Sequence, residues 1–454
     1  MTLTDPVAHS LESSGTAELV VLDTSALIAD PDSVFARYPG DDLVIPLTVI
    51  EELDGLKKRL DPVGHAAREV LRTLEQFRAD AGGDLRAPCP RPVGGTVRVE
   101  LNGIQEALLR EHGLAVDKPD NRIIGAALGL VDGRANVSVV SNDSALRVKA
   151  ATFGLTAVEH DAHGSPDGPK PVGWRDFEVS TSVIDGLFAG DHRPSGADDV
   201  VAALVPNEFG VLAAGSQSAL VRRVGEGLTL LNHDLAAWDL RARNKEQRFA
   251  LDLLLDDEVK VVALDGPAGT GKTLCAVAAG LQQVVEEEGR YARMCVYRPV
   301  IPVGKADVGY LPGTLDEKLD PWMAAITDAV YALTERQDRD EAQQVLEEIR
   351  DRGQLTMESV THLRGRTLHN SFVLIDEAMN LSPQVGKTIL TRIAADSKVV
   401  FTGDTSQIDA AFLSESTNAL SALIAAFTGQ ELFGHVGLTK GERSPLAELA
   451  ARLL

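Results

Sequence analysis

The sequence has few cysteines, no excess of positive charge and no long apolar run. Only three of its 454 residues are cysteine, and none are in C-x-x-C spacing, which argues against a disulfide framework and a cysteine metal site. With 44 basic and 67 acidic residues, the formal net charge is −23, so any contact with nucleic acid must be local. No apolar run approaches the roughly 18 residues of a membrane span, and the N-terminus lacks a signal-peptide pattern. We therefore expect a cytoplasmic protein without a membrane partner.

One glycine-rich motif is specific for phosphate. An apolar run leads into GPAGTGKT, which matches G-x-x-x-x-G-K-[ST] at every fixed position. Glycine lets consecutive N–H groups face a phosphate, and the following helix adds its positive N-terminal end. The lysine would reach the β- and γ-phosphates, and the threonine hydroxyl would coordinate Mg²⁺. The predicted ATP contacts are Gly266, Pro267, Ala268, Gly269, Thr270, Gly271, Lys272 and Thr273.

Three further segments extend the predicted ATPase site. The apolar strand FVLI ends in Asp376, which would hold Mg²⁺ through water, and Glu377, which would polarise the attacking water. Another apolar strand ends in GDTSQ, where Gln407 could sense the γ-phosphate. Gln247 precedes the phosphate loop, and its amide could read the adenine edge. The alternative for Gln247 is an ordinary surface position on a helix.

Four acidic residues stand at predicted strand ends or helix starts between residues 19 and 160. Clustered carboxylates repel each other and need a cation, and Mg²⁺ or Mn²⁺ prefers oxygen ligands and keeps waters that can attack a phosphodiester. Each acid alone could be a helix cap or a solvated side chain, so the prediction of a metal site rests on their joint pattern. The four acids are Asp23, Glu52, Asp120 and Asp143, with Glu51 and Asp117 as rivals for the second and third positions.

Both sets of motifs resemble known families. LDTSAL, VIEEL, PDNRII and SNDSAL are similar to the four acidic motifs of PIN domains, a metal-dependent ribonuclease fold. This resemblance implies metal binding by the four acids and a catalytic role for Asp23 and Asp120. GPAGTGKT, LIDEAMN and FTGDTSQID resemble the PhoH-like ATPases, whose core is one RecA-like domain related to superfamily 1 helicases. The whole chain is similar to fused PIN-PhoH proteins, which are described as ATP-dependent RNA helicases with ribonuclease activity.

These features predict an α/β protein with five parts. We expect a flexible N-terminus at 1–17, a PIN-like α/β/α domain at 18–160, a linker at 161–173, a small β-rich module at 174–235 and a RecA-like P-loop ATPase domain at 236–454. The middle module could be a spacer or a platform that guides RNA. Residues 298–322 combine basic and aromatic side chains that suit a single nucleic-acid strand, with an irregular packing loop as the alternative.

The expected cofactors are ATP and Mg²⁺, or Mn²⁺ in the PIN site, and the expected substrate is RNA. Related helicases close ATP between two RecA domains, and only one is visible here. Arg443 could therefore serve a neighbouring subunit in trans, which predicts a closed ring, most simply a hexamer; an ordinary salt bridge is the alternative for Arg443. Many PIN proteins are paired with antitoxin-like inhibitors, which adds such a protein to the expected partners.

The sequence thus predicts an ATP-driven RNA helicase or translocase that presents single-stranded RNA to a Mg²⁺-dependent endoribonuclease. A regulatory reading is the alternative. In that case nucleotide binding gates an ATPase whose PIN fold binds RNA or a protein partner without cutting.

Overall fold

The computed structural model divides the chain into two compact units, Met1–Ala162 and His163–Leu454. No helix in the part of the chain that the structure describes is both long enough and apolar enough to span a membrane. Arg443 and most of the predicted RNA segment lie outside the described residues. The structure describes all residues except 1–17, 32, 60–61, 102–104, 132–135, 161–170, 287–289, 300–325, 334–338, 364–365, 411–412 and 442–454.

The first unit is built on a six-stranded sheet. Its strands are β1 (Leu19–Leu22), β2 (Asp42–Pro46), β3 (Cys89–Pro90), β4 (Thr96–Glu100), β5 (Val137–Val140) and β6 (Thr156–Val158). The order is β3-β4-β2-β1-β5-β6, and every pair is parallel except β3 with β4. The central strand, LVVL, is buried along its whole length, as expected for a parallel sheet covered on both faces.

Helices follow the carboxyl ends of the central strands of this sheet. Asp23 caps the first helix by accepting from the Ser25 N–H, and Asp143 caps the sixth by accepting from the N–H groups of Ala145 and Leu146. Acidic residues are thereby collected at one edge of the sheet. The helices are α1 (Thr24–Ala29), α2 (Leu47–Leu56), α3 (Pro62–Asp80), α4 (Glu106–Glu111), α5 (Pro119–Val131) and α6 (Ser144–Thr152).

The second unit begins with a four-stranded sheet and two helices. The elements are β7 (Trp174–Glu178), α7 (Thr181–Phe188), α8 (Asp198–Ala203), β8 (Phe209–Ala214), β9 (Gln217–Val224) and β10 (Gly227–Leu230). The strand order is β10-β9-β8-β7, with β7 and β8 parallel and the other pairs antiparallel. Two-residue turns join the hairpins, and each turn begins with a glycine at positive φ, Gly215 and Gly225.

The ATPase part of the second unit contains a six-stranded parallel sheet. Two short strands, β11 (Ala236–Ala237) and β12 (Leu240–Arg241), precede it. Its strands are β13 (Val261–Asp265), β14 (Arg293–Arg298), β15 (Leu355–Ser359), β16 (Ser371–Ile375), β17 (Lys398–Gly403) and β18 (Phe433–Gly437), in the order β15-β14-β16-β17-β13-β18. Its helices are α9 (Lys245–Leu255), α10 (Lys272–Leu281), α11 (326–333), α12 (Arg339–Asp351), α13 (Pro383–Leu390) and α14 (Ala419–Phe427). The predicted α/β class is confirmed.

The middle module shares its core with the ATPase part. The Phe209 ring on β8 stacks on Phe249 of α9, with ring centroids 4.4 Å apart. Arg222 on β9 forms ion pairs with Asp252 and Asp256 at the carboxyl end of α9. The module is therefore packed against the ATPase part rather than joined to it by the chain alone, and its role stays a prediction.

Candidate active sites

The phosphate loop runs from the end of β13 to the start of α10. Gly271 has φ +95°, and a Cβ there would lie 2.8 Å from the Gln247 amide nitrogen. Gly266 has φ +145°, and a Cβ there would lie 2.0 Å from the Leu438 carbonyl oxygen. Both positions therefore require glycine. Lys272 Nζ donates to the carbonyl oxygens of Gly266 and Pro267, and burial lowers the pKa of this lysine.

Two hydroxyl groups orient the carboxylate that follows β16. Thr273 Oγ1 donates to Asp376 Oδ1 at 3.0 Å, and Thr402 Oγ1 donates to the same oxygen at 2.7 Å. Asp376 is buried. The threonine of the phosphate loop and this carboxylate are the oxygen donors that a magnesium nucleotide requires, so the residues present fit Mg²⁺. Thr402 has no distinctive sequence signal, because its pairing depends on the order of the strands.

Glu377 has an unusual backbone conformation and a cationic partner. Its φ is +55° and its ψ is +39°, in the left-handed region that non-glycine residues seldom adopt. Arg298 Nη2 donates to Glu377 Oε1 at 3.0 Å, and Arg298 Nε lies 3.8 Å from Asp376 Oδ2. Burial and the neighbouring Asp376 charge raise the pKa of Glu377.

An open pocket of about 240 Å³ brings most of the predicted ATP-site residues together. Asp404, which the sequence analysis missed, also lines it. Its buried Oδ2 has no hydrogen-bond partner among the described residues, whereas Oδ1 accepts from the N–H and hydroxyl of Ser406. An acid directly after a strand was the signal that could have found it. Among the predicted residues, the lining includes Gly269, Lys272, Thr273, Asp376, Glu377 and Gln407.

Gln247 lies behind the phosphate loop rather than among the residues that line the pocket. Its Nε2 donates to the Thr270 carbonyl at 3.0 Å, and its Oε1 accepts from the Arg243 N–H at 3.0 Å. The neighbouring Glu246 is also buried and accepts from the backbone and hydroxyl of Thr439 and from the Lys440 N–H. The first turn of α9 therefore ties the phosphate loop to the segment after β18.

In the first unit, Asp23 is the most enclosed of the predicted metal ligands. It follows β1, and its Oδ2 accepts from the hydroxyl groups of Ser25 and Ser141, the latter at 2.7 Å. Burial raises the pKa of Asp23, although these hydrogen bonds oppose the shift. Ser141 comes from the end of β5, so two strand ends meet at this carboxylate.

Glu52 lies near enough to both Asp23 and Asp120 to interact with them electrostatically. Glu52 accepts a hydrogen bond from the Thr24 hydroxyl. Burial raises the pKa of Glu52, and the charges of Asp23 and Asp120 raise it further. Three of the four predicted acids are thus brought together, from β1, α2 and α5.

The fourth acid and the two rivals have other contacts. Asp143 is exposed and caps α6. Glu51 pairs with Arg122 at 3.2 Å, and Asp117 is exposed.

A lysine already pairs with one of the clustered acids. Lys149 Nζ lies 2.8 Å from Asp120 Oδ2. Within the described ranges no group of three or more His, Cys, Asp or Glu side chains is arranged to hold a metal ion. The oxygen donors suit Mg²⁺ or Mn²⁺ in kind, but a metal that used Asp120 Oδ2 would have to replace the lysine. The predicted metal roles therefore stay predictions.

Known proteins resemble both halves of the chain. A family model for the PIN domain matches residues 20–161, and one for the PhoH-like protein matches residues 239–453. Protein PhoH2 of Bacillus subtilis (strain 168) is 39% identical, with 96% of this chain and 100% of the relative aligned. Proteins of the same name from Thermobispora bispora and Mycolicibacterium smegmatis are each 38% identical, with 96% of both chains covered.

Proposed function

Because the chain belongs to the PIN-PhoH family of the PhoH2 proteins, we propose that it uses ATP hydrolysis in the second unit to move or unwind RNA. The first unit would cut the single strand that this produces. The main support is the pocket in which Lys272, Thr273, Asp376, Glu377 and Gln407 converge. These are the groups that phosphoryl transfer requires around a nucleotide.

In the proposed ATPase reaction, each side chain has one task. Lys272 would exchange its two carbonyl partners for the β- and γ-phosphates, and Gln407 would contact the γ-phosphate. Thr273 and Asp376 would hold Mg²⁺, which supplies charge neutralisation for the departing phosphate. Glu377 would orient the attacking water and accept its proton.

In the proposed nuclease reaction, the carboxylates of Asp23, Glu52 and Asp120 would hold Mg²⁺ or Mn²⁺. The metal would supply an activated water for attack on the phosphodiester. The hydroxyls of Ser25 and Ser141 fix the Asp23 carboxylate. Asp143 would mainly fix the first turn of α6 in place, because its side chain caps that helix.

Other partners are proposed from the sequence alone. RNA would follow the segment 298–322, and a closed ring, most simply a hexamer, would let Arg443 reach the ATP of a neighbouring subunit. An antitoxin-like inhibitor is proposed from the family resemblance.

A second function is favoured by the ion pair between Lys149 and Asp120. A lysine that offsets the charge of one of the three acids reduces the repulsion that a metal would otherwise relieve. The first unit would then bind RNA or a protein partner without cutting, and the ATPase would regulate that binding.

The test combines labelled RNA with variants of both sites. Three proteins are compared: wild type, the double variant Asp23→Asn/Asp120→Asn, and Lys272→Ala. Each is incubated with single-stranded and with duplex RNA in Mg²⁺, with and without ATP. We expect the acid variant to lose cleavage of both RNAs and Lys272→Ala to lose only ATP-dependent cleavage of the duplex. ATP turnover with intact RNA in every reaction would contradict the nuclease proposal and favour the regulatory function.

A further inference from the structure

Arg298 lies at the carboxyl end of β14, beside Asp376 and Glu377, the two acids that directly follow the neighbouring strand β16. Tyr297 pairs with Ile375 in the sheet, so the residues that follow them, Arg298 and Asp376, emerge at the same end of the sheet. There the Arg298 guanidinium donates to Glu377 Oε1 at 3.0 Å and approaches Asp376 Oδ2 to 3.8 Å. The Arg298 side chain is 19% exposed and the Glu377 side chain 34% exposed, so water screens this ion pair only in part.

The two acids are engaged differently. Asp376 uses Oδ1 for the hydroxyls of Thr273 and Thr402, which hold it towards the phosphate loop. Among the described residues, the Glu377 side chain accepts one hydrogen bond, from Arg298. Its left-handed backbone fixes the direction in which the side chain leaves the chain. Within the described part of the chain, Arg298 is therefore the group that holds the Glu377 carboxylate.

A charge-assisted hydrogen bond from a guanidinium is among the stronger contacts that a carboxylate can make. A carboxylate held in this way cannot rotate freely towards the attacking water, and the guanidinium charge makes it a weaker proton acceptor while the bond lasts. The contact between Arg298 and Glu377 thus opposes the step for which Glu377 is needed.

We propose that Arg298 is a positioning residue that restrains Glu377, and that an RNA phosphate which pairs with Arg298 frees Glu377 for ATP hydrolysis. This inference rests on the proposed RNA function. RNA is the favoured partner because the guanidinium fork matches a phosphate, and because Arg298 is the first residue of the segment 298–322, whose composition suits a single strand. RNA and ATP hydrolysis are then coupled through one side chain.

The test measures ATP turnover of the full-length protein with and without oligouridylate. In Arg298→Ala we expect kcat without RNA to rise about tenfold, since a charge-assisted hydrogen bond no longer has to break in each turnover. The KM for ATP should stay unchanged, and RNA should stimulate this variant little. Arg298→Lys keeps the charge but lacks the two-pronged guanidinium group. Its kcat without RNA should therefore lie between those of Arg298→Ala and wild type.

Arg352→Ala is the matched control, because it removes an arginine from an exposed pair with Glu348 on the same unit. It should keep the wild-type kcat and RNA stimulation. A lower kcat in Arg298→Ala, with and without RNA, would overturn the restraint and make Arg298 a productive support of Glu377. If Arg298→Ala unfolds, an unchanged RNA-independent kcat in Arg298→Lys would overturn it.

The RNA part has its own outcome. Wild-type turnover that oligouridylate does not change would contradict the proposed RNA function. If oligouridylate stimulates ATP turnover equally in wild type and in Arg298→Ala, only the role of Arg298 is contradicted.

Discussion

Gln247 shows how a single buried amide can hold a catalytic loop in place. The side chain is 4% exposed and satisfies two backbone groups, the Thr270 carbonyl within the phosphate loop and the Arg243 N–H before α9. Gly271 has no space for a Cβ because the Gln247 amide fills it. In this arrangement the amide supports the loop that faces the phosphates. Because all nucleoside triphosphates have these phosphates, such support does not distinguish adenine from other bases.

Replacement of Gln247 by alanine distinguishes loop support from adenine recognition. If Gln247 supports the loop, Gln247→Ala should weaken the binding of ATP and of GTP by the same factor, about fivefold for the loss of a buried hydrogen bond. If Gln247 instead recognises adenine, the substitution should weaken the binding of ATP but not that of GTP. Equilibrium titration with both nucleotides measures the difference. Gln343→Ala, at an exposed site on α12, is the control and should bind both nucleotides as wild type does.

At the scale of elements, strand order brings together side chains that are far apart in the sequence. The phosphate loop could be predicted from sequence because its glycines, lysine and threonine are contiguous, and Asp376 and Glu377 because they end an apolar strand. Arg298 could not be assigned to Glu377, since the two are 79 residues apart and meet only because β14 and β16 are neighbours. In the first unit Lys149 was missed for the same reason, because α6 has to pack beside α5 before it can reach Asp120.

The carboxyl end of α9 depends on a buried lysine from another element. Lys398 at the start of β17 is fully buried, and its Nζ donates to the carbonyl oxygens of Leu253, Leu254 and Asp256 at 2.7–2.8 Å. These carbonyls have no partner within the helix. Lys398 therefore joins the sheet to the helix whose first turn carries Gln247.

This arrangement predicts a pH-dependent stability of the second unit. Burial lowers the pKa of Lys398 from 10.5 to about 7, so between these values the unfolded chain binds a proton that the folded chain does not. The free energy of unfolding should therefore rise with pH in this window, by up to about 1.4 kcal/mol per pH unit. Lys398→Met should lack this rise. Below about pH 7, where the ammonium has three N–H donors, the variant should be less stable than wild type, because the carbonyls of Leu253 and Asp256 lose their Lys398 donor and Leu254 keeps only Gln283.

Urea unfolding at several pH values measures the effect. Tryptophan fluorescence reports the second unit alone, since Trp174, Trp238 and Trp322 all belong to it. Lys387→Met on α13, where the lysine is exposed, should keep the wild-type slope. A Lys398→Met slope equal to that of wild type would show that other groups cause the pH dependence.

At the scale of the whole molecule, the boundary between cooperative parts is set by buried contacts rather than by sequence composition. The composition separated the middle module from the ATPase domain at about residue 236. The stacked rings of Phe209 and Phe249 and the ion pairs of Arg222 instead place the module in the same compact unit as the ATPase part. Such pairings depend on side-chain packing across elements, which periodicity along the chain does not reveal.

The molecule should consequently unfold in two calorimetric transitions, one for each unit. Phe209→Ala should destabilise only the second unit, by about 3–5 kcal/mol, because it removes a fully buried ring from the core that the module shares with α9. Phe35→Ala, which removes a buried ring packed against Phe77 in the first unit, is the matched control and should shift only the other transition. Mg²⁺ and ATP should raise the transition that Phe209→Ala lowers, since ligand stabilises the unit that binds it. A third transition, shifted by Phe209→Ala but not by ATP, would mean that the middle module unfolds independently of the ATPase part.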